Sequence, residues 1–239
     1  MSEQMIFERY EIKYLLTGRQ KREILEAMQP YMAPDRYAHG TIRNIYFDTD
    51  TYRLIRRSIE RPAYKEKLRL RSYRSCGPEE PVFVELKKKY RSVVYKRRLI
   101  LEQQKAVECL MRGKKLPLHS QIAEEISYFC SYYHNLSPAV FLSYDRDAYS
   151  AVDGSDLRIT FDENILARRE GFSFDEGIYG TPLIDRKMTL MEVKTSGGIP
   201  LWLVHWLTRN QIYKTSFSKY GTAYQTMIYE KEQGDILHA

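Results

Sequence analysis

The stretch YKEKLRLRSY, residues 64–73, alternates charged and apolar side chains with a period of two. Lys65, Lys67, Arg69 and Arg71 fall on one side, and Leu68 and Leu70 on the other. That period is the period of a β-strand, whose successive side chains point to opposite faces. The pattern continues in PVFVELKKKY, residues 81–90, where Glu85, Lys87 and Lys89 oppose Val82, Val84 and Leu86, and again through Lys96, Arg97 and Arg98. Such a face is ordinarily the wet side of an antiparallel sheet. Here, however, four cations stand about 7 Å apart along one strand. They repel one another, and an anion placed among them relieves the repulsion. These strands therefore read as part of a binding surface for a polyanion.

Outward from this stretch the period changes several times. Residues 6–16 read as a strand with Arg9, Glu11 and Lys13 on one face. Residues 18–31 carry Ile24, Leu25 and Met28 at helical spacing. Residues 41–48 read as a second strand, and 52–59 fit either a helix or a strand. Between 102 and 135 the apolar positions recur at three and four, which predicts two helices separated by Pro117. Strands return at 139–149, 157–162 and 189–195. A short amphipathic helix at 200–209 and a last helix at 218–230 complete the pattern. No Pro-, Gly- or Ser-rich linker divides the chain, so residues 1–239 are expected to form one domain. Seven or eight strands with helices inserted between them predict an α+β fold built on an antiparallel β-barrel.

Bulk properties narrow the partners. The 239 residues carry a formal charge of +7 and are 43% hydrophobic, enough for a real core and an acidic partner. No apolar run is long enough to span a bilayer, so no membrane insertion is expected. The first residues lack the pattern of a signal peptide. The three cysteines, Cys76, Cys109 and Cys130, share no metal-type spacing, which favours a reducing, cytoplasmic setting. The five histidines show no ligand spacing, and no phosphate-loop, dinucleotide or Ser-His-Asp signature is present. Nucleic acid is not expected as a partner. It would call for aromatics interleaved on the charged face, whereas cations alternating within strands suit an enclosed space.

Three strands share a small motif: Glu11-Ile12-Lys13, Glu85-Leu86-Lys87 and Glu192-Val193-Lys194. On an exposed sheet such pairs are salt bridges of little worth. If the charged faces all turn inward, the barrel encloses a lumen lined by Lys13, Arg69, Arg71, Lys87, Lys96, Arg98, Arg146, Arg158 and Lys194. It would hold anion and water. Arginine suits phosphate because its planar fork donates two bonds at once. Glu11, Glu85 and Glu192 could then hold Mg²⁺ or Mn²⁺ against phosphate oxygens. Lys219 follows Ser216-Phe217-Ser218, a helix-start signature, and a helix N-terminus favours an anion.

The stretches 9–14, 45–48, 67–73, 84–88, 96–98, 158–162, 191–195 and 216–220 together resemble the VTC domain, in order and spacing over nearly the whole chain. LRLRSY, VELKKK, EVKT and SFSKY carry the likeness jointly. That family belongs to the triphosphate tunnel metalloenzymes. The resemblance implies an eight-stranded antiparallel barrel with an inner tunnel and transfer of the ATP γ-phosphate onto a growing polyphosphate chain, with a divalent metal, usually Mn²⁺. It implies phosphate contacts from Lys13, Arg69, Arg71, Lys87, Arg146 and Lys219, metal binding by Glu192, and looser matches at Lys96 and Arg158. It also implies one more arginine ahead of residues 64–73, for which Arg56, Arg57 and Arg61 compete. Hydrolytic members of the superfamily open with Glu-x-Glu-x-Lys, whereas this chain has Arg9-Tyr10-Glu11-Ile12-Lys13. Arg9 replaces an acid with a phosphate anchor, which favours the polymerase branch over triphosphatases. Family members often work beside a membrane protein that moves the product.

Overall fold

In a computed structural model, residues 6–7, 10–91 and 93–229 are described. The chain runs β1 (Ile6–Phe7), β2 (Tyr10–Thr17), α1 (Gly18–Ala27), β3 (Met32–Asp48), α2 (Arg53–Ile59), β4 (Tyr64–Ser72), β5 (Pro81–Tyr90) and β6 (Val93–Glu102). Then follow α3 (Gln103–Arg112), α4 (Gln121–Tyr132), β7 (Ser137–Ala151), β8 (Arg158–Arg168), β9 (Thr181–Pro182) and β10 (Met188–Thr195). Last come α5 (Leu201–Arg209), β11 (Lys214–Thr215), α6 (Lys219–Tyr224) and a π-helical turn, Gln225–Tyr229. All strands join one antiparallel sheet in the order β1-β6-β5-β4-β3-β7-β8-β10-β2-β11, with β9 on β8. Among the described residues, β2–β8 and β10 are the long strands, which gives the expected eight. The fold is α+β. No helix among the described residues is long and apolar enough to cross a membrane.

The sheet curls until its ends face each other. β1 pairs with β6 at one end and β2 pairs with β10 at the other, yet Phe7 and Tyr10 are neighbours in the chain. Lys87 on β5 reaches Glu11 on β2 at 3.7 Å, across strands that share no ladder. Within the strand expected at 6–16, the described stretches 6–7 and 10–16 pair on opposite sides of the seam. Arg9 lies outside the described residues, as does the end of the helix expected to reach Glu230.

Period-two alternation sorts the side chains into two environments. Outward, Leu68, Leu70, Val82, Val84 and Leu86 are fully buried against Ala106 and Leu110 of α3 and Ile126 and Phe129 of α4. Each such side chain contributes about 1.5–3 kcal/mol by burial. On the other flank Tyr14, Leu16, Ile159, Phe161, Met191 and Val193 pack under Ile24 of α1 and Leu203 and Leu207 of α5. Trp202 of α5 stacks on Tyr31 at 4.7 Å. A third apolar cluster lies inside the barrel, where Tyr220, Ala223 and Tyr224 of α6 meet Ile42, Tyr46, Leu142, Tyr144 and Leu190. One end of the inner space is thus occupied by α6, so the inner face is charged over only part of its length.

Two elements differ from expectation for local reasons. β3 begins at Met32 rather than Thr41, although Pro34 cannot donate to a ladder. Beyond the stretch that pairs with β4 it pairs only with β7, so the missing donor faces an open edge. Residues 52–59 resolve as the helix α2. Two of its first donors, the buried Leu54 and Ile55 amides, bond the Asp48 carboxylate at 2.8 and 3.0 Å.

Candidate functional site

Ladder register sets which side chains meet inside. Arg69 lies opposite Tyr46 on β3 and Glu85 on β5, and Glu85 lies opposite Arg98 on β6. Lys87 stands between Lys67 and Lys96. On the far wall Arg146 opposes Asp162, while Glu192 lies between Lys13 and Thr160. The two walls touch: Arg71 of β4 donates to Asn44 at 2.9 Å and to the Tyr144 hydroxyl of β7 at 3.2 Å.

Two buried counter-ion clusters organise these cations. In the first, both Glu85 oxygens are taken. Arg69 donates to Oε2 at 2.8 and 2.7 Å, and Lys96 and Arg98 approach Oε1 at 2.9 and 2.8 Å. Arg71 stands 3.8 Å away. Burial pushes the Glu85 carboxyl up, but Arg69, Arg71, Lys96 and Arg98 outweigh it and hold the group far below the usual carboxylate range. In the second cluster Asp162, fully buried, accepts both arms of Arg146 at 2.6 Å and Lys219 at 2.5 Å. Glu192 meets Lys194 at 2.8 Å, Lys219 at 3.0 Å, Arg146 at 3.4 Å and Lys13 at 3.5 Å. Its carboxyl is also held well below the ordinary range, burial being outweighed by Lys194, Lys219, Lys13 and Arg146. Burial opposes the charge on Lys219, yet Asp162 and Glu192 raise its pKa.

The structure therefore brings together Lys13, Arg69, Arg71, Lys87, Lys96, Arg98, Arg146, Lys194 and Lys219 around a shared interior. Arg158 stands apart: it shares the inner parity of β8, but its guanidinium pairs with Asp35 at 2.6 Å and is partly exposed. Arg56 and Arg57 are exposed on α2. Arg61 is exposed and repels Lys65, whose pKa is lowered by burial, Lys89 and Arg61. Lys219 reaches the site as a side chain. α6 is a six-residue helix that passes into a π turn, so the expected helix-terminus contribution gives way to the ammonium itself.

Sequence reasoning passed over Asp162, Asn44, Tyr46 and Tyr144 as site residues. Parity alone could have flagged Asp162, since it shares a face with Arg158 and Thr160. The three glutamates expected to share a metal do not converge, and among the described residues no three His, Cys, Asp or Glu side chains do. Glu85 is enclosed by its cations on the β4–β6 wall. Glu11 and Glu192 do come together, both within reach of the Lys13 ammonium at 3.3 and 3.5 Å. Across the ladder from Glu192, the Thr160 hydroxyl is buried without a hydrogen-bond partner. Two carboxylates and a spare hydroxyl fit Mg²⁺ or Mn²⁺, which typically take one or two carboxylates plus phosphate oxygens.

The VTC domain profile matches residues 8–228. The chain belongs to the VTC-domain family. No curated protein matches it significantly. Among solved structures it is similar to a putative adenylate cyclase from Bacillus halodurans, at TM-score 0.56 and 16% identity, over 94% of this chain and 99% of that one. It is also similar to a putative adenylyl cyclase from Hippeastrum described as having a dominant triphosphatase activity, at TM-score 0.55 and 17% identity, over 90% and 94%. At such identities the likeness speaks for a shared tunnel fold.

Proposed function

We propose that this VTC-domain chain is a metal-dependent polyphosphate polymerase, moving the γ-phosphoryl group of ATP onto a growing polyphosphate inside the lumen. One observation carries the reading: cations from opposite walls converge on one space and outnumber its carboxylates Glu11, Glu85, Asp162 and Glu192 more than two to one. In transfer, an oxygen of the acceptor's terminal phosphate bonds to the γ-phosphorus as the bond to the β,γ-bridging oxygen breaks, and ADP leaves. Such reactions depend on positioning and charge neutralisation. Arg69, Arg71 and Arg146 offer planar forks to phosphate oxygens, and Lys13, Lys87 and Lys219 supply point charges. Lys96, Arg98 and Lys194 extend the cationic lining, and Arg158 is assigned to its periphery; Arg9 is a further phosphate anchor on the sequence alone. An arriving anion takes over cations now held by Glu85, Asp162 and Glu192. Glu11 and Glu192 would hold the divalent ion, which supplies further neutralisation of the phosphate oxygens.

A second reading, hydrolysis of a triphosphate in the same lumen, is favoured by α6, because a lumen occupied at one end suits a short ligand. Incubation with ATP and Mn²⁺ or Mg²⁺, followed by gel staining for polyphosphate and a free-phosphate assay, separates the two. Long chains are expected; free phosphate alone would indicate the hydrolase, and binding without turnover a non-catalytic module. Arg71→Ala and Lys87→Ala should weaken phosphate binding about tenfold or more, whereas Glu192→Gln should chiefly lower metal-dependent turnover.

A further inference from the structure

Lys67 sits on the inner face of β4, between Lys65 and Arg69 and opposite Lys87. Its neighbours in the lumen have carboxylate partners: Arg69 and Lys96 have Glu85, Lys13 has Glu11 and Glu192, and Lys87 has Glu11. Lys67 has none among the described residues. Its ammonium donates to the Ser218 hydroxyl at 3.1 Å. That hydroxyl also accepts from the Gly221 amide at 3.2 Å, and a Cβ at Gly221 would stand 3.1 Å from it, so the glycine keeps the turn open around Ser218. One step beyond the β3–β4 ladder, Asp48 of β3 comes opposite Lys67. Its oxygens accept from the amides of Thr49, Leu54 and Ile55 and from the Tyr220 hydroxyl.

The charged groups that bear most strongly on Lys67 are cations: Lys87 of β5, Lys13 of β2, and Lys65 and Arg69 of its own strand. An ammonium so placed gains more from an entering anion than one already paired. We propose that Lys67, set by the Ser218 hydroxyl, is a further phosphate-binding group of the lumen, and that it takes its proton from solvent as the anion arrives. This rests on the phosphate-binding reading of the lumen. It adds that binding consumes a proton and weakens as pH rises above neutrality. Burial, reinforced by Lys87, Lys13, Lys65 and Arg69, pushes the Lys67 ammonium down to about 7. At pH 8 the empty protein therefore carries this lysine largely neutral.

The test is calorimetric titration of inorganic tripolyphosphate into the full chain at pH 8, in two buffers of different ionisation enthalpy. The wild type should take up about one more proton per ligand than Lys67→Arg, whose side chain stays charged. Protons exchanged by the ligand itself are common to both proteins and cancel. Binding with equal proton counts overturns the Lys67 assignment alone. No binding by the wild type overturns the lumen reading and this inference with it. If the arginine variant fails to fold, ¹³C-dimethylated lysine signals of the wild type decide. A Lys67 resonance that titrates near neutrality when free, and stays protonated past pH 9 with tripolyphosphate, supports the proposal. Titration near the ordinary lysine value in the free protein overturns it.

Discussion

Glu85 is 1% exposed and its two oxygens serve Arg69, Lys96 and Arg98, with Arg71 close by. Without it those cations would face one another across a low-dielectric wall. Removing one partner of a buried charge group costs about 3–5 kcal/mol. We therefore expect Glu85→Gln to melt well below the wild type, and tripolyphosphate to restore part of the loss by supplying the missing negative charge. A melting curve with and without ligand checks both. The pH dependence has a definite sign. The carboxyl is depressed in the folded state, so its contribution is complete above its unfolded value near 4.5 and declines as pH falls below it. The gap between wild type and Glu85→Gln should narrow by about 1.4 kcal/mol per pH unit below about 4. A gap that stays constant on acidification would mean that the carboxylate is not the anchor of this wall.

At the scale of elements, α6 links the inner space to the rest of the fold. Tyr220 stacks on Tyr46 at 4.7 Å, and its hydroxyl donates to Asp48 at 2.8 Å. The same carboxylate holds the first amides of α2, so one buried acid ties together β3, α2 and α6. Tyr220→Phe withdraws one donor from Asp48 and should cost about 1–3 kcal/mol, or roughly 2–12 °C in Tm for a chain of this size. An unchanged Tm would show that α6 is not anchored through Asp48. The helix was harder to read from sequence than the strands. Residues 218–230 carry a helical start signal, yet only Lys219–Tyr224 is α-helix before the π turn. α2 was ambiguous because its cap comes from the end of β3, while Tyr52, just ahead of it, is left-handed at φ 55°.

For the whole molecule, the strands of residues 64–101 were legible because their two faces are chemically opposite. Leu68, Leu70, Val84 and Leu86 can only turn toward helices, and the parity then sends Arg69, Arg71, Glu85 and Lys87 inward. The same parity could not reveal α6. Ile42, Leu142 and Leu190 share the inner face with charged residues, and alternation alone does not say that a helix covers them. The counter-ion roles of Glu85 and Asp162 were equally hidden, since a carboxylate among arginines reads alike as metal ligand or as ion-pair partner until distances are known. Alternation offered the convergence of cations on one interior only as a condition; the contacts between walls show it, and every functional step rests on it. The most direct test is the position of the anion in a crystal grown with tripolyphosphate. The account predicts one chain of phosphates in contact with Arg69 and Arg71 on one wall and with Arg146 and Lys219 on the other. Tripolyphosphate bound only on the outer surface, with Arg146 and Lys219 still held by Asp162 and Glu192 alone, would contradict it.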